Sequence, residues 1–180
     1  MKSMLDMNHE EILRAVENMG EKPFRAAQLE KWLYMCTPFD EMSNLPKSMR
    51  EKLKDSFTEG YPEIVQTLES SDGTKKYLLK LSDGNIIESV LMKYSYGNTV
   101  CISSQVGCAM GCEFCASCKN GLERNLTSGE IAGEVLAVNA SLGQGRNISN
   151  VVMMGIGEPL NNFENVTEAI RLLNSEKGLN

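Results

Sequence analysis

Three cysteines, Cys108, Cys112 and Cys115, stand at C-x3-C-x2-C spacing in Val106-Gly-Cys-Ala-Met-Gly-Cys-Glu-Phe-Cys-Ala116, and a segment presenting three thiols so closely runs as a loop. The flanks of that loop constrain the fold. Thr99 to Ser103 reads as the strand that feeds it, and Thr127-Ser-Gly-Glu130 beyond it is a capping box opening a helix with Ile131, Val135, Val138 and Leu142 on one face. A turn at Gly143-Gln-Gly145, a buried strand from Asn150 to Met154, the loop Gly155-Ile-Gly-Glu-Pro159 and a helix aligning Val166, Ile170 and Leu173 follow. Strand, loop, helix, strand, loop, helix is the succession that builds a parallel sheet or a β/α barrel.

Upstream the pattern differs. Residues 8 to 57 read as three helices. Asn8 caps the first, with Glu11 three residues on, an apolar stripe of Ile12, Val16 and Met19, and Gly20 as the stop. The second follows Pro23 and aligns Leu29, Trp32, Leu33 and Cys36, which makes Cys36 a core thiol. The third opens at Pro46 and aligns Met49, Leu53 and Phe57. His9, the single histidine, has no partner evident from the sequence. From Glu63 to Met92 the apolar period becomes two, with turn signals at Ser70-Ser-Asp-Gly73 and Ser82-Asp-Gly84, which predicts a three-stranded antiparallel meander.

The fold class is therefore α/β: an N-terminal helical module over 1–60, a β-meander over 61–95, and two β/α units over 96–180. No stretch reaches the roughly 18 uninterrupted apolar residues of a membrane helix, and no basic segment with an apolar run and cleavage site opens the chain. A cytoplasmic protein is expected. Six cysteines with four crowded into residues 108–118 then point to metal binding over disulfides. The 18 Lys and Arg against 24 Asp and Glu, a net charge of −6, argue against coating of nucleic acid by charge alone. The densest basic run, Lys47 to Lys54, is interleaved with Glu51 and reads as a solvated helix face.

Zinc sites usually draw four ligands from two separated pairs, so packing Cys118 with the other three into one loop leaves little room for a closed cage. Closed ferredoxin-type runs use two-residue gaps before a C-x3-C-P ending, and here the three-residue gap comes first. The spacing favours a four-iron cluster with one iron open, and an open iron can chelate S-adenosylmethionine and deliver the electron that breaks its sulfonium bond. Gly155-Ile-Gly157-Glu158-Pro159 is a poor phosphate cradle, because Leu160 replaces the third glycine and Glu158 is negative. A carboxylate there suits an ammonium group, such as the methionine amine of that cofactor, beside the alternative of a plain tight turn. Glu88 alternates with Ile86, Val90 and Met92, and a carboxylate among apolar neighbours is a usable proton acceptor; an edge-strand surface glutamate is the other reading. Cys101, on the strand feeding the loop, reads as a structural thiol unless a further role is found for it.

Together these residues resemble the RlmN/Cfr family of radical S-adenosylmethionine RNA methyltransferases. The resemblance runs through Glu21-Lys-Pro-Phe-Arg-Ala-Ala-Gln-Leu29, Phe39-Asp-Glu-Met-Ser-Asn-Leu-Pro46, Asp72-Gly-Thr-Lys-Lys-Tyr77, Ile87-Glu-Ser89, Cys101-Ile-Ser-Ser-Gln-Val-Gly-Cys108, Arg124-Asn-Leu-Thr127 and Val152-Met-Met-Gly-Ile-Gly-Glu-Pro-Leu160. It implies that Cys108, Cys112 and Cys115 hold a [4Fe-4S] cluster and that Gly157 and Glu158 contact the methionine part of S-adenosyl-L-methionine. It further implies that Glu88 is the proton acceptor and that Cys101 resolves a covalent RNA adduct by disulfide formation with a second, methyl-carrying cysteine.

The implied activity is methylation of adenosine C2 in 23S rRNA and tRNA by a monomer fed by flavodoxin or ferredoxin. The alternatives are a Cfr-type C8 methyltransferase or a noncatalytic iron-sulfur protein. The family's barrel is six-stranded with its methyl-carrying cysteine near the C-terminus, so the chain is expected to be an N-terminal portion, an incomplete radical SAM barrel that does not methylate RNA alone. Cys118 departs from the family pattern, which has a small or polar residue there.

Overall fold

A computed structural model describes residues 1–143 and 147–175. The expected turn at Gln144 and Gly145 and the chain end at Gly178-Leu-Asn180 lie outside the described residues. The N-terminal module holds three α-helices, α1 (His9–Asn18), α2 (Phe24–Tyr34) and α3 (Lys47–Ser56). Asn8 and Glu11 form the reciprocal capping box of α1, each side chain accepting from the other residue's backbone N–H. Met4, Val16, Leu29, Leu33, Phe39, Met42, Met49 and Leu53 make its core, and Leu136 from the second half of the chain joins them.

Three expectations for this module are corrected. Phe57 does not continue the third helix; it begins a short strand, β2 (Phe57–Thr58), which pairs in parallel with β1 (Lys2–Ser3) and binds the chain's first residues to the end of the module. Cys36 lies past the end of α2 with a φ of 51°, in the left-handed region where helices commonly terminate. It still packs on the core, and burial pushes its thiol up to about 12. His9 does have a partner, its Nδ1 lying 2.7 Å from Oε1 of the buried Glu30, a pairing across 21 residues of sequence that no local pattern announces.

The second half is built on one five-stranded sheet. The meander strands β3 (Glu63–Glu69), β4 (Lys75–Lys80) and β5 (Ile86–Tyr94) run antiparallel, β5 pairs antiparallel with β6 (Gly97–Cys101), and β6 then pairs in parallel with the last strand of the sheet, β9 (Ile148–Val152). Between β6 and β9 lie a two-stranded ribbon, β7 (Gln105–Gly107) with β8 (Leu122–Asn125), and the crossover helix α4 (Ser128–Ser141); α5 (Phe163–Asn174) follows β9. These are the two β/α units read in the sequence. Thr127 and Glu130 close the capping box of α4 as expected.

Helix α4 covers one face of the sheet, where Leu79, Ile87, Leu91, Val100 and Ile102 meet Ile131, Val135 and Val138 in the second core. Burial of that apolar area, at about 25 cal/mol per Å2, is the main force holding helix to sheet. The strand expected to be buried, β9, is a correction: Ser149, Asn150 and Val151 are exposed, because β9 is the edge of the sheet and no described element packs beyond it. Ile170 on α5 is likewise exposed, while Val166 and Ala169 make that helix's buried contact.

Candidate active site

Strands β6 and β9 are parallel, so the segments that leave their C-terminal ends emerge on the same side of the sheet. The cysteine loop leaves after β6 and the Gly155–Pro159 loop leaves after β9. The cysteine loop is pinched at its neck by the β7–β8 ribbon, where Cys108 N–H donates to Gly121 O at 3.0 Å. Cys108 is buried at that neck, Cys112 is exposed at the tip, and Cys115 and Cys118 are half-buried around a 3-10 turn at Ala116–Cys118. Phe114, 94% exposed, projects from the loop into solvent. The Ser117 backbone and hydroxyl hold the Cys115 thiol below its ordinary range, and burial pushes the Cys118 thiol up. All six cysteines are free thiols.

The second loop is laid along the chain between β6 and β7. Gly155 N–H donates to Ile102 O at 3.0 Å, Ser104 N–H to Ile156 O at 2.8 Å, and Ile156 N–H to Ser103 Oγ at 3.1 Å. Gly157 has a φ of 103°, and a Cβ on it would lie 2.6 Å from Gln105 Cβ and 2.7 Å from Ser104 Oγ, so only glycine fits. Glu158 accepts from Leu160 N–H at 3.1 Å and stands half-buried at the start of a 3-10 turn.

Glu88 and Cys101 share the sheet face that α4 does not cover. Cys101 is the register partner of Val90, and residues at i and i+2 along a strand share a face, so Glu88, Val90 and Cys101 point the same way. Ser103 Oγ donates to Glu88 O at 2.9 Å and so ties the two strand ends together. The expected apolar setting of Glu88 needs correction. Its carboxylate pairs at 3.1 Å with Lys76 Nζ on the neighbouring strand, and the side chain is 44% exposed. Burial pushes the Cys101 thiol up, and the Glu134 carboxyl adds to that shift.

Several residues of this site carry no signal in local spacing. Gln105, 1% exposed, accepts from Glu158 N–H at 2.9 Å and donates to Asn125 Oδ1 at 2.7 Å. Asn162, also buried, donates from one amide nitrogen to Ser104 O and to Leu126 O, both at 2.8 Å. Glu134 on α4 is fully buried, hydrogen-bonded to Ser89 Oγ at 2.6 Å and accepting from Ser103 N–H, and burial pushes its carboxyl up to about 8. Gln105 and Asn125 lie inside segments that carry the family resemblance, which is the one signal that could have singled them out.

The residues present fit the groups that the spacing implies. Among the described residues no three His, Cys, Asp or Glu side chains converge on a point that would hold a single metal ion. A four-iron cube does not ask for that: each thiolate takes a different iron, so its ligands stand apart at separate corners, and the donors here are thiols alone. At the second loop Ser104 Oγ is buried without a partner beside the space a Cβ on Gly157 would fill, the signature of a cradle awaiting a polar group.

A thiol loop and a glycine-glutamate loop on the same ends of adjacent parallel strands define a β/α fold of the radical S-adenosylmethionine class. The chain superposes on the crystal structure of a radical SAM methyltransferase from Sphaerobacter thermophilus with a TM-score of 0.92 and 38% sequence identity, over 99% of this chain and 54% of that one. Residues 2–58 match the family model of the ribosomal RNA large subunit methyltransferase N-terminal domain. Over its whole length the chain is 51% identical to the probable dual-specificity RNA methyltransferase RlmN of Clostridium acetobutylicum and 49% identical to that of Clostridium perfringens, covering 52% of each. Over the length it spans, the chain is similar to the RlmN methyltransferases. It spans about half the length of the curated relatives it matches.

Proposed function

We propose that the chain is the cofactor-binding portion of a cytoplasmic enzyme that methylates C2 of adenosine in 23S rRNA and tRNA. The observation that carries this reading is the common face of Glu88 and Cys101, set beside two loops that leave the same ends of β6 and β9. Cys108, Cys112 and Cys115 would hold the [4Fe-4S] cluster, and Gly157, Glu158 and the unpartnered Ser104 hydroxyl would receive the methionine end of S-adenosyl-L-methionine. When bound, cluster and cofactor supply one-electron cleavage of the sulfonium bond.

The chain's own residues prepare the rest. Glu88 accepts the proton leaving the methylated adenosine, with Lys76 steadying the carboxylate until then. Cys101 resolves the covalent RNA adduct by bonding to a second cysteine that carries the methyl group, which makes this a methyl-cysteine mechanism. The ribosomal and transfer RNA substrates need a docking surface of basic side chains, and within the Lys47–Lys54 run Lys54 pairs with Asp40, Lys47 with Glu51, and Lys52 Nζ donates to Met19 O, all at the surface. Electrons come from flavodoxin or ferredoxin, and the enzyme works as a monomer. No helix among the described residues is long and apolar enough to cross a membrane.

The test has two parts. Anaerobic reconstitution of the chain should yield iron and sulfide in equal amounts, with an EPR signal of the reduced cluster that changes on adding S-adenosylmethionine; a site that takes up zinc alone would refute the reading. Nuclease digests of rRNA and tRNA treated with the full-length enzyme should then contain 2-methyladenosine. Finding 8-methyladenosine instead would move the enzyme to the Cfr branch.

A further inference from the structure

Cys118 is the one thiol of the cysteine loop that cluster binding leaves over. The spacing Cys115-Ala-Ser-Cys118 places it one 3-10 turn beyond a cluster ligand, and Gly121 N–H donating to Cys118 O at 3.1 Å holds that turn closed. Side chains at positions i and i+3 of a 3-10 turn stand one above the other, so Cys115, which caps the turn, and Cys118, which ends it, come to the same side. Cys108 is buried at the neck of the loop, whereas Cys115 and Cys118 are both half-exposed and reachable by a small solute. Two accessible thiols three positions apart on one side of a tight turn can close a disulfide with little backbone movement.

We propose that in the cluster-free chain Cys115 and Cys118 are a hydroperoxide-sensitive dithiol whose disulfide withholds a cluster ligand, so that oxidation blocks cluster assembly and thiol reduction restores it. The withholding of a ligand rests on the reading of Cys115 as one of three cluster thiolates. One thiolate attacks the peroxide oxygen, breaking the O–O bond and releasing hydroxide or an alkoxide that is protonated. The resulting sulfenic acid is displaced by the second thiol, which forms the S–S bond and expels water. Two sulfurs lose one electron each, the peroxide takes up both, and the two thiol protons end on the two oxygen products.

The experiment uses the 180-residue chain, cluster-free and reduced, treated with hydrogen peroxide and then alkylated and digested with a protease that cuts after glutamate. The peptide Phe114–Glu123 contains Cys115 and Cys118 and no other cysteine. The proposal expects this peptide unalkylated and two hydrogens lighter, free thiols reduced from six to four, and anaerobic uptake of iron and sulfide lost until dithiothreitol is added. Cys118→Ser should keep its iron uptake after the same treatment. A peptide alkylated on both cysteines, or cross-linked to the peptide carrying Cys108 and Cys112, overturns the proposal, and the mass of the unmutated chain decides this even if the variant does not fold. If the untreated chain takes up no iron, the cluster reading fails and the withholding of a ligand falls with it, while the disulfide itself is still decided by mass.

Discussion

The side-chain amide of Gln105 joins the two halves of the site: its oxygen accepts from Glu158 N–H at 2.9 Å and its nitrogen donates to Asn125 Oδ1 at 2.7 Å. One end of that bridge is the loop after β9 and the other is the ribbon that closes the cysteine loop. Replacing it with an apolar isostere, Gln105→Leu, takes both hydrogen bonds away from the half-buried Glu158 N–H and the exposed Asn125 side-chain oxygen. A loss of about 0.5–1.5 kcal/mol is expected in urea unfolding. The EPR response to S-adenosylmethionine should weaken as well, whereas iron content should stay near that of the parent chain.

Gly157→Ala meets two obstacles together, a φ of 103° and a Cβ 2.6 Å from Gln105 Cβ. The backbone penalty alone is about 1–3 kcal/mol. Differential scanning calorimetry should show a lowered Tm, and isothermal titration with S-adenosylmethionine should show lost binding to the reconstituted protein. Unchanged affinity would mean that this loop does not receive the cofactor.

Glu134 makes stability depend on pH with a definite sign. Burial raises its carboxyl from the ordinary 4.5 to about 8, so between those values the folded chain holds a proton that the unfolded chain has released. Stability should therefore fall as pH rises through that window and level off above it. Glu134→Gln keeps an acceptor for Ser103 N–H and offers an amide to Ser89 Oγ, imitating the protonated acid. Urea midpoints at pH 5.5 and 8 should differ less in the variant than in the parent; an equal difference would assign the pH dependence elsewhere.

Cys36 should be the slowest cysteine to alkylate. Its thiol is pushed up to about 12 by burial, and the thiolate is the reactive form. Timed iodoacetamide labelling at pH 8, read by peptide mass, should find Cys112 modified early and Cys36 intact until denaturant is added, since Cys112 is exposed at the loop tip.

What the sequence made legible is local. The capping boxes at Asn8 and Thr127, the turns of the meander and the strand-helix alternation after Thr99 all follow from residues within a few positions of one another, and the structure has them. The parallel pairing of Lys2 with Phe57, the contact of His9 with Glu30 and the carboxyl of Glu134 beneath Ser89 each join residues far apart in the chain, and nothing in local spacing announces them. For the site, the cysteines and the glycine-glutamate loop are visible as motifs. Gln105 and Asn162 are not, because an amide acquires meaning only from the backbone groups that the fold brings to it. Glu88 shows the opposite case: alternation along the strand gives its face, but Lys76, which decides its surroundings, sits on another strand.

The continuity of the sheet gives the short link between β5 and β6 a metric role. Only Ser95 and Tyr96 separate Tyr94 from Gly97, and the register they set places Val90 opposite Cys101. Side chains on a strand change face at every residue, so this hairpin works as a spacing gauge between a carboxylate on one strand and a thiol on the next. A slip by a single position would turn Glu88 toward α4 and leave Cys101 facing the opposite side alone. A link remote from the cysteine loop thus governs whether those two groups can meet the same molecule.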